Sequence, residues 1–582
     1  MRSNSQQRGS VLITSVIAIL VVSALSAALL TTVLIEDSQS RSNDDLVTGD
    51  FLADGAAEIA EKLVLKNVVG WLDLPRGVQT YEIEGNAIEF RVSPAGDRRI
   101  ETDPDGVRVL NQPVHIRAWS TINGYRREVN RLINVGVIPL FQFTVFYDKD
   151  LEILPFPNMT ITGRIHTNHD MYLGSDNTLT LNSGYVHAVG DIYRRRKDSG
   201  LPSAGSVVVR ANDGDGSFFP MDSRFEFDAQ GITSVSGFDS SFYGHDANGD
   251  GDYIDGGELS PWVVESIERW GGSVQSSVHG LRELVAPDVK SIKRFVRTDD
   301  GSGGDFDIDP DTGEYYEVEP GTGSYRKGHY HSKADLVIID GNVYDAAGNP
   351  VLLPDGALVT RTMYDAREGA DIQVTEIDVA VLNTSDAWPE NGLVYAARSD
   401  ASPSQPNGIR LTNGSELAGG LTVVSENPVF IQGDYNSVNK KGAAVMGDAV
   451  SILSNGWDDS KTPGTLPIAD PTRVMCSIIT GSYDTAENDY NGGFENMIRF
   501  HENWTGVECT IRGSFVNIFD SEIARSPWVY GGDAYTAPVR NFDFDQDYRQ
   551  VSNLPPFTPV VAHVRNIAWY ERADFESPVV EP

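Results

Sequence analysis

Cysteine and basic residues are both scarce in this sequence. Only two cysteines, Cys476 and Cys509, occur in 582 residues, which excludes a disulfide-dense scaffold and a four-cysteine zinc site. Lys and Arg total 46 against 83 Asp and Glu, which gives a net charge of −37. Because nonspecific binding to nucleic acid needs a basic surface, we expect no nucleic-acid partner.

Diagnostic catalytic motifs are missing as well. The sequence contains no G-x-S-x-G, no H-E-x-x-H, no P-loop and no dinucleotide-binding fingerprint. Each of these motifs positions a nucleophile, a metal or a phosphate. Without them, no set of residues in the sequence supports the interpretation of the protein as an enzyme. We therefore predict no catalytic residues.

One long apolar run is present, at the N-terminus. Residues 10–35 carry no charge, and these 26 residues exceed the roughly 20 that a helix needs to cross a bilayer. Arg2 and Arg8 precede the run and acidic residues follow it. The positive-inside bias then predicts a single-pass membrane protein with a cytoplasmic N-terminus and an extracytoplasmic bulk.

The junction between Gly9 and Ser10 adds a second signal, because a prepilin peptidase cuts after a glycine between a short basic leader and an apolar helix. The segment QQRGSVLITSVIAILVVSALSAALL resembles the N-terminus of the PilX-type minor pilins. The resemblance implies cleavage after Gly9, with Ser10 as the first mature residue. It also implies a location in a bacterial inner membrane, with display on a pilus or the cell surface. Two alternatives remain: a plain membrane anchor, or a secretory signal cut near residues 24–27.

The fifth mature position departs from the usual pilin pattern. Ordinary pilins carry a glutamate there, whereas this chain has Thr14. A buried carboxylate needs a cation, which a neighbouring subunit's N-terminal ammonium supplies in a pilus. A subunit without the acid fits a minor, priming or tip component, and the resemblance implies other pilins or pilus assembly proteins as partners.

The predicted fold class is α+β, mainly β. After the leader 1–9, residues 10–70 are predicted as a transmembrane and amphipathic pilin-like helix, and residues 71–140 as a small antiparallel sheet with turns at Gly85–Asn86 and Asn123–Gly124. Short apolar strands closed by glycine follow over 141–575, without a strict period, and they favour a β-helix or solenoid. A large β-sandwich is the alternative.

Acidic Gly/Asp-rich insertions interrupt this region at about 194–335. Their sharpest segment, 246–258, places oxygen-bearing side chains around Gly251 with the spacing of a calcium loop that has one inserted residue: Asp246, Asn248, Asp250, Asp252 and Glu258. The sequence predicts Ca²⁺ as the one cofactor, and a solvated acidic turn is the alternative. The second acidic run, 305–311, lacks the turn glycine and favours a loop or strand edge.

Cys476 and Cys509 both lie in apolar, strand-like runs of a region expected outside the cytoplasm. A disulfide between them and two buried free thiols are both open interpretations.

Two functional classes follow from the sequence. The first is a membrane-anchored minor pilin-like protein that takes part in the assembly or tip display of a type IV pilus or a related secretion fibre. Its large extracytoplasmic head is expected to contact a surface glycan or protein, as in adhesion. The second is an anchored β-helix enzyme such as a polysaccharide lyase.

Overall fold

The computed structural model describes residues 6–70, 74–102, 107–221, 240, 261–294, 305–308, 315–318 and 330–573. Within these ranges only the backbone is described at 6–14, 42, 261, 264–265, 290, 305–308, 315–318 and 570–573. The chain is mainly β, with 19% helix and 40% strand, and one long N-terminal apolar helix precedes several sheets. The predicted fold class is confirmed.

Helix α1, Gln6–Val69, packs its second half against an antiparallel sheet. Five strands make this sheet before the chain leaves it: β1 Val78–Ile83, β2 Asn86–Pro94, β3 Arg99–Thr102, β4 Arg108–Ile122 and β5 Tyr125–Pro139. The β4–β5 turn is Asn123–Gly124 as predicted, with positive φ at both residues. The β1–β2 turn is Glu84–Gly85, one residue earlier than predicted.

The chain then enters a β-solenoid at a 3-10 turn, Leu140–Gln142. The first group of rungs comprises β6 Val145–Tyr147, β7 Leu151–Ile153, β8 Met159–Thr162, β9 Ile165–Thr167, β10 Met171–Leu173, β11 Thr178–Asn182, β12 Val186–Ala188, β13 Ile192–Tyr193, β14 Ser206–Arg210, β15 Phe218–Pro220, helix α2 Pro261–Trp270 and β16 Val274–Gln275. Two 3-10 turns, Ser277–His279 and Val289–Ile292, and an isolated hairpin of β17 Asp305–Ile308 and β18 Tyr315–Val318 follow.

The second group of rungs comprises β19 Leu336–Ile339, β20 Asn342–Asp345, β21 Leu358–Asp365, β22 Ala370–Asp378, helix α3 Val379–Asn383, β23 Leu393–Ala397, β24 Gly408–Thr412, β25 Leu421–Val424, β26 Val429–Gln432, β27 Ala443–Gly447, β28 Val450–Leu453, β29 Thr472–Val474, β30 Ser477–Thr480, helix α4 Phe494–Met497, β31 Arg499–Phe500, β32 Glu508–Gly513, β33 Phe515–Asn517 and β34 Val539–Phe544. Two 3-10 turns, Gln546–Arg549 and Val551–Asn553, lead to the last strand, β35 Val560–Ala573.

The two groups form one stack, in which the first group runs from the middle to one end and the second group runs from the other end back to the middle. The longest sheet has the order β16-β12-β9-β6-β33-β30-β27-β25-β23-β19-β20, and all its pairs are parallel except β19–β20. Strand β6, the first rung, therefore lies beside β33, the last rung. Aligned inward side chains form an apolar ladder through the stack: Val274, Val186, Ile165, Val145, Phe515, Ile478, Val445, Val423, Val394 and Leu336.

Rung length explains why the sequence shows no strict period. In the first group, β6, β9 and β12 start at residues 145, 165 and 186, a repeat of about 20 residues. In the second group, β23, β25, β27, β30 and β33 start at 393, 421, 443, 477 and 515, because the loops between strands vary in length. The parallel pairing constrains only the strand residues. The loops between strands can therefore differ in length without disturbing the inward-facing apolar ladder.

Strand β35 returns the chain to the first sheet. It pairs antiparallel with β5 from Val560↔Pro139 to Ala573↔Arg127 and forms the sheet edge beyond β5. The sequence predicted one β-rich region over 141–575 and a separate sheet over 71–140. The structure instead places the last strand of the first range, β35, in the sheet formed by the second range. The solenoid is inserted between two adjacent strands of that sheet.

Candidate functional site: the helix–sheet module and the solenoid interior

Residues 15–35 of α1 form an apolar surface that no other described part of the chain covers. Every described side chain from 15 to 41 is exposed, and Leu29 is 70% exposed. Within the described residues, α1 is long and apolar enough to cross a membrane, a finding that rests on length and composition. An apolar helix that is exposed all round needs lipid or other apolar helices around it.

The residues of the predicted processing junction lie at the start of this helix. Gly9, Ser10 and Thr14 fall within the helical backbone of α1, where side chains are not described. The structure therefore places these three positions on one continuous helix with the apolar surface. Cleavage after Gly9 remains a prediction.

The second half of α1 approaches the sheet closely because its buried face is made of small residues. Ala53, Ala56, Ala57 and Ala60 are fully buried against β2, β4 and β5. At Gly49 an added Cβ would lie 2.7 Å from Cγ of Arg127. Side chains of this size let a helix lie flat on a sheet, so the module has little room for larger residues at these positions.

A stripe of ion pairs runs along the edge of the same contact. Arg127 donates two hydrogen bonds to Asp50, and Arg131 donates to Asp54 at 2.6 Å and to Glu58 at 2.5 Å. Residues 50, 54 and 58 share one helix face, and residues 127 and 131 share one strand face. Burial of Arg131 opposes its charge, but the bonds to Glu58 and Asp54 outweigh it and raise its pKa.

The two cysteines are free thiols, and both are buried. Cys509 pairs in register with Thr472, whereas the carbonyl of Cys476 faces Gly513, four residues further along β32. Four residues of strand span about 13 Å, beyond the roughly 7 Å limit between bridged Cα atoms. The disulfide interpretation is therefore wrong, and burial raises the pKa of both thiols.

The predicted calcium ligands lie outside the described residues. This applies to Asp246, Asn248, Asp250, Asp252 and Glu258 alike. Of the second acidic run, the backbone of 305–308 forms strand β17 in a hairpin, while 309–311 are not described. Among the residues that are described, no group of three or more His, Cys, Asp or Glu could hold a metal ion.

Several titratable groups are buried inside the solenoid. Burial raises the pKa of Glu152 to about 7, although Thr485 donates a hydrogen bond to it. Burial also raises the pKa of Glu495 to about 7, although the positive charge of Arg540 lowers it. His166 is buried on Phe146 and bonded to Asn168, and burial lowers its pKa to about 4. These environments favour the neutral forms.

No protein-family model matches the chain, and no curated protein matches it. Among solved structures, the chain is similar to the crystal structure of the competence-associated pilin ComZ from Thermus thermophilus. The two share 10% sequence identity with a TM-score of 0.21, over 90% of this chain and 98% of that chain. A TM-score this low assigns no residue and no role.

Sequence reasoning missed the ion-pair stripe and the buried charges of the solenoid. The acids at 50, 54 and 58 recur every fourth residue, and this spacing was a usable signal for a charged edge on α1. Glu152 and Glu495 carry no such signal, because residues more than 300 positions apart meet only after the rungs have stacked.

Proposed function

We propose that this protein is a membrane-anchored, minor pilin-like subunit that displays a β-solenoid head outside the cytoplasm. One observation carries the proposal: α1 is exposed and apolar over residues 15–35 and packs on an antiparallel sheet in its second half. A bare apolar half suits lipid before assembly and other subunits' helices afterwards. The packed half fixes the helix to the sheet that holds the head.

Other pilins or assembly proteins are the partners that fit this geometry, with the leader in the cytoplasm and the head outside. The head works by surface recognition, and a glycan or a protein is its proposed ligand class. We propose no catalytic turnover. Calcium binding by the 246–258 loop is a separate proposal that does not depend on pilin-like assembly.

Two features of the chain suit a low-copy position in a fibre. The fifth mature position is Thr14, which offers a hydroxyl where a shaft subunit needs a carboxylate to pair with an ammonium. The inserted segment 140–559 would also crowd its neighbours if it were repeated along a thin fibre, whereas a tip leaves it free space. These two features favour a priming or tip subunit.

N-terminal mass spectrometry of membrane-extracted protein tests the anchor. In a host with an active prepilin peptidase, the mature chain should begin at Ser10, and Gly9→Val should retain the leader. The matched controls are a peptidase-deficient host, which should retain the leader on the wild type, and Ser23→Val, which should leave processing unchanged. A terminus at Met1 in the active host, or near residue 27, would contradict the pilin-like proposal.

Quantitative proteomics of sheared fibres tests the copy number. We expect this chain far below the level of the major subunit, with fewer fibres or weaker attachment in a deletion strain. Fibres made mainly of this chain would contradict the argument from Thr14 and from head size together.

A further inference from the structure

A small cavity lies inside the solenoid where its two groups of rungs meet. Its lining includes Tyr147 of β6, Glu152 of β7, Arg367 of the β21–β22 turn, Tyr483, Asn496 of α4 and Arg499 of β31. The free space, measured to the centre of a water-sized sphere, is about 10 Å³. This volume holds one water-sized occupant.

Arg367 is directed inward by a tight turn. Asp365 accepts hydrogen bonds from the backbone N–H of Arg367 at 2.9 Å and of Glu368 at 3.1 Å. Gly369 closes the turn with φ of +67°, a conformation that favours glycine. The turn therefore holds the Arg367 side chain in place, and the residue is only 7% exposed.

The guanidinium of Arg367 has no counter-ion of its own. Its buried Nε has no hydrogen-bond partner, and within the described ranges the side chain forms no ion pair. Its neighbours include the phenols of Tyr483 and Tyr535 and the carboxylate of Glu368, which is not bonded to it. Burial and the nearby Arg499 together lower the pKa of Arg367 to about 10. An unpaired buried charge is among the costliest features a folded protein can carry.

The two cations nearest to Arg367 have acids of their own. Glu368 is committed to Arg499, which is 4% exposed, and also accepts from the Ser526 backbone at 3.2 Å. Lys461 is a further buried cation near Asp365, and burial lowers the pKa of its ammonium to about 8. Lys461 also faces Asp533 and Glu502, and Asp448 faces Arg499. Each of these two cations therefore has an acid near it, whereas Glu368, the acid beside Arg367, is already bonded to Arg499.

Within the described part of the chain, the other titratable groups near the cavity form no ion pair with Arg367. His501 lies 3.5 Å from Asp365, and burial lowers its pKa to about 4, so its neutral form is favoured. On the opposite wall Asp150 pairs with Lys197 at 2.7 Å. Glu152 has an unpartnered Oε2, and its pKa of about 7 makes it protonated over the acidic range.

We propose that this cavity binds one small monovalent anion of halide size, held by Arg367 with Arg499 at its side. The anion supplies the charge that the buried guanidinium lacks, and the volume excludes larger anions. The site joins the β6 and β7 rungs to the β21–β22 turn and β31, so its occupant links the two groups of rungs. This inference is independent of the pilin-like proposal.

Thermal unfolding of the detergent-solubilised full chain tests the site. Unfolding is followed by the far-ultraviolet circular dichroism of the β-strands. At constant ionic strength and pH 6, chloride or bromide should raise the unfolding temperature by at least about 2 °C relative to gluconate. Sulfate at the same ionic strength should act like gluconate, because it is too large for the cavity. Equal unfolding temperatures in all four anions, or a rise that sulfate reproduces, would overturn the proposal.

Variants separate the site from general salt effects. Arg367→Gln should abolish the difference between bromide and gluconate, while the exposed control Arg525→Gln should keep it. Since Arg367→Gln alters a buried turn, wild-type crystals grown in bromide give a readout that needs no variant. An anomalous peak beside the Arg367 guanidinium supports the proposal. A cavity without anomalous density overturns it, and so does an Arg367→Gln protein that retains the bromide effect.

Discussion

Gly136 of β5 offers a direct test of how the inserted solenoid is closed. It lies opposite His563 of β35, and the imidazole ring covers the glycine. A Cβ built at Gly136 would lie 2.6 Å from Nε2 of His563 and closer still to Cε1. The backbone of Gly136 does not have positive φ, so Gly136→Ala perturbs this cross-strand contact without straining its own backbone.

The expected magnitude follows from overpacking. His563 is half-buried and its Nδ1 is buried without a hydrogen-bond partner, so the ring must move to admit a methyl group. Overpacking of this kind costs about 1–3 kcal/mol. Without the ring, alanine should be better than glycine in a strand interior by about 0.5–1 kcal/mol. The sign of the effect of Gly136→Ala should therefore reverse in a His563→Ala background.

Hydrogen exchange of the full chain in detergent measures this locally, without assuming two-state unfolding. A loss of about 1–3 kcal/mol should speed exchange in peptides covering 560–573 by about 5-fold to 150-fold. His563→Ala and the double variant complete the cycle. Gly96→Ala is the control, because a Cβ there meets only Pro113 at 3.5 Å and should leave protection unchanged.

Two results would refute the reasoning. Unchanged protection of 560–573 in Gly136→Ala would mean that β35 does not lie on β5 with His563 over the glycine. An equal loss with and without His563 would mean that the added methyl group acts through some other contact.

Three further predictions concern the ion-pair stripe, the buried acids and the thiols. Arg131→Met should increase hydrogen exchange in α1 peptides covering 50–64, with a loss of about 1 kcal/mol that shrinks in 1 M salt, because its two hydrogen-bonded partners, Asp54 and Glu58, are half-exposed. Burial favours the protonated Glu495 carboxyl in the folded wild type, which stabilises the fold below about pH 4.5, and this contribution is lost as pH rises through about 7. Glu495→Gln should therefore flatten the dependence of the urea unfolding midpoint on pH. Cys476 and Cys509 should resist iodoacetamide until the protein unfolds, and identical intact masses with and without reductant are expected; a 2 Da difference would indicate a disulfide.

Local patterns predicted the elements whose partners are near in sequence. Apolar spacing indicated the packed half of α1, and Asn123–Gly124 indicated the β4–β5 hairpin, since a two-residue turn fixes register by itself. At the β1–β2 turn the pattern was off by one residue, because Glu84 adopts positive φ and leaves Asn86 to the strand. A glutamate in that conformation has no clear sequence signal.

Long-range pairing was beyond local patterns. The alternation in 560–573 is typical of a strand, but nothing in those residues specifies β5 as its partner. The same limit applies to the cavity around Arg367, whose walls come from turns and strands between residues 147 and 499. A buried arginine in a sequence looks like an exposed one, because its burial is a property of the stacked rungs.

The adjacent entry and exit of the solenoid determine how a pulling force would cross the protein. The chain leaves the sheet after Pro139 of β5 and returns at Val560 of β35, and these two residues are paired, with Leu140 donating to the Pro559 carbonyl at 2.8 Å. Tension on the head would draw the two strands in the same direction, so their own ladder would not be peeled apart. The load would instead shear the long β4–β5 ladder and the Arg127 and Arg131 contacts to α1. Shear requires many hydrogen bonds to fail together, so this attachment would resist a force on the solenoid more strongly than a hairpin that unzips.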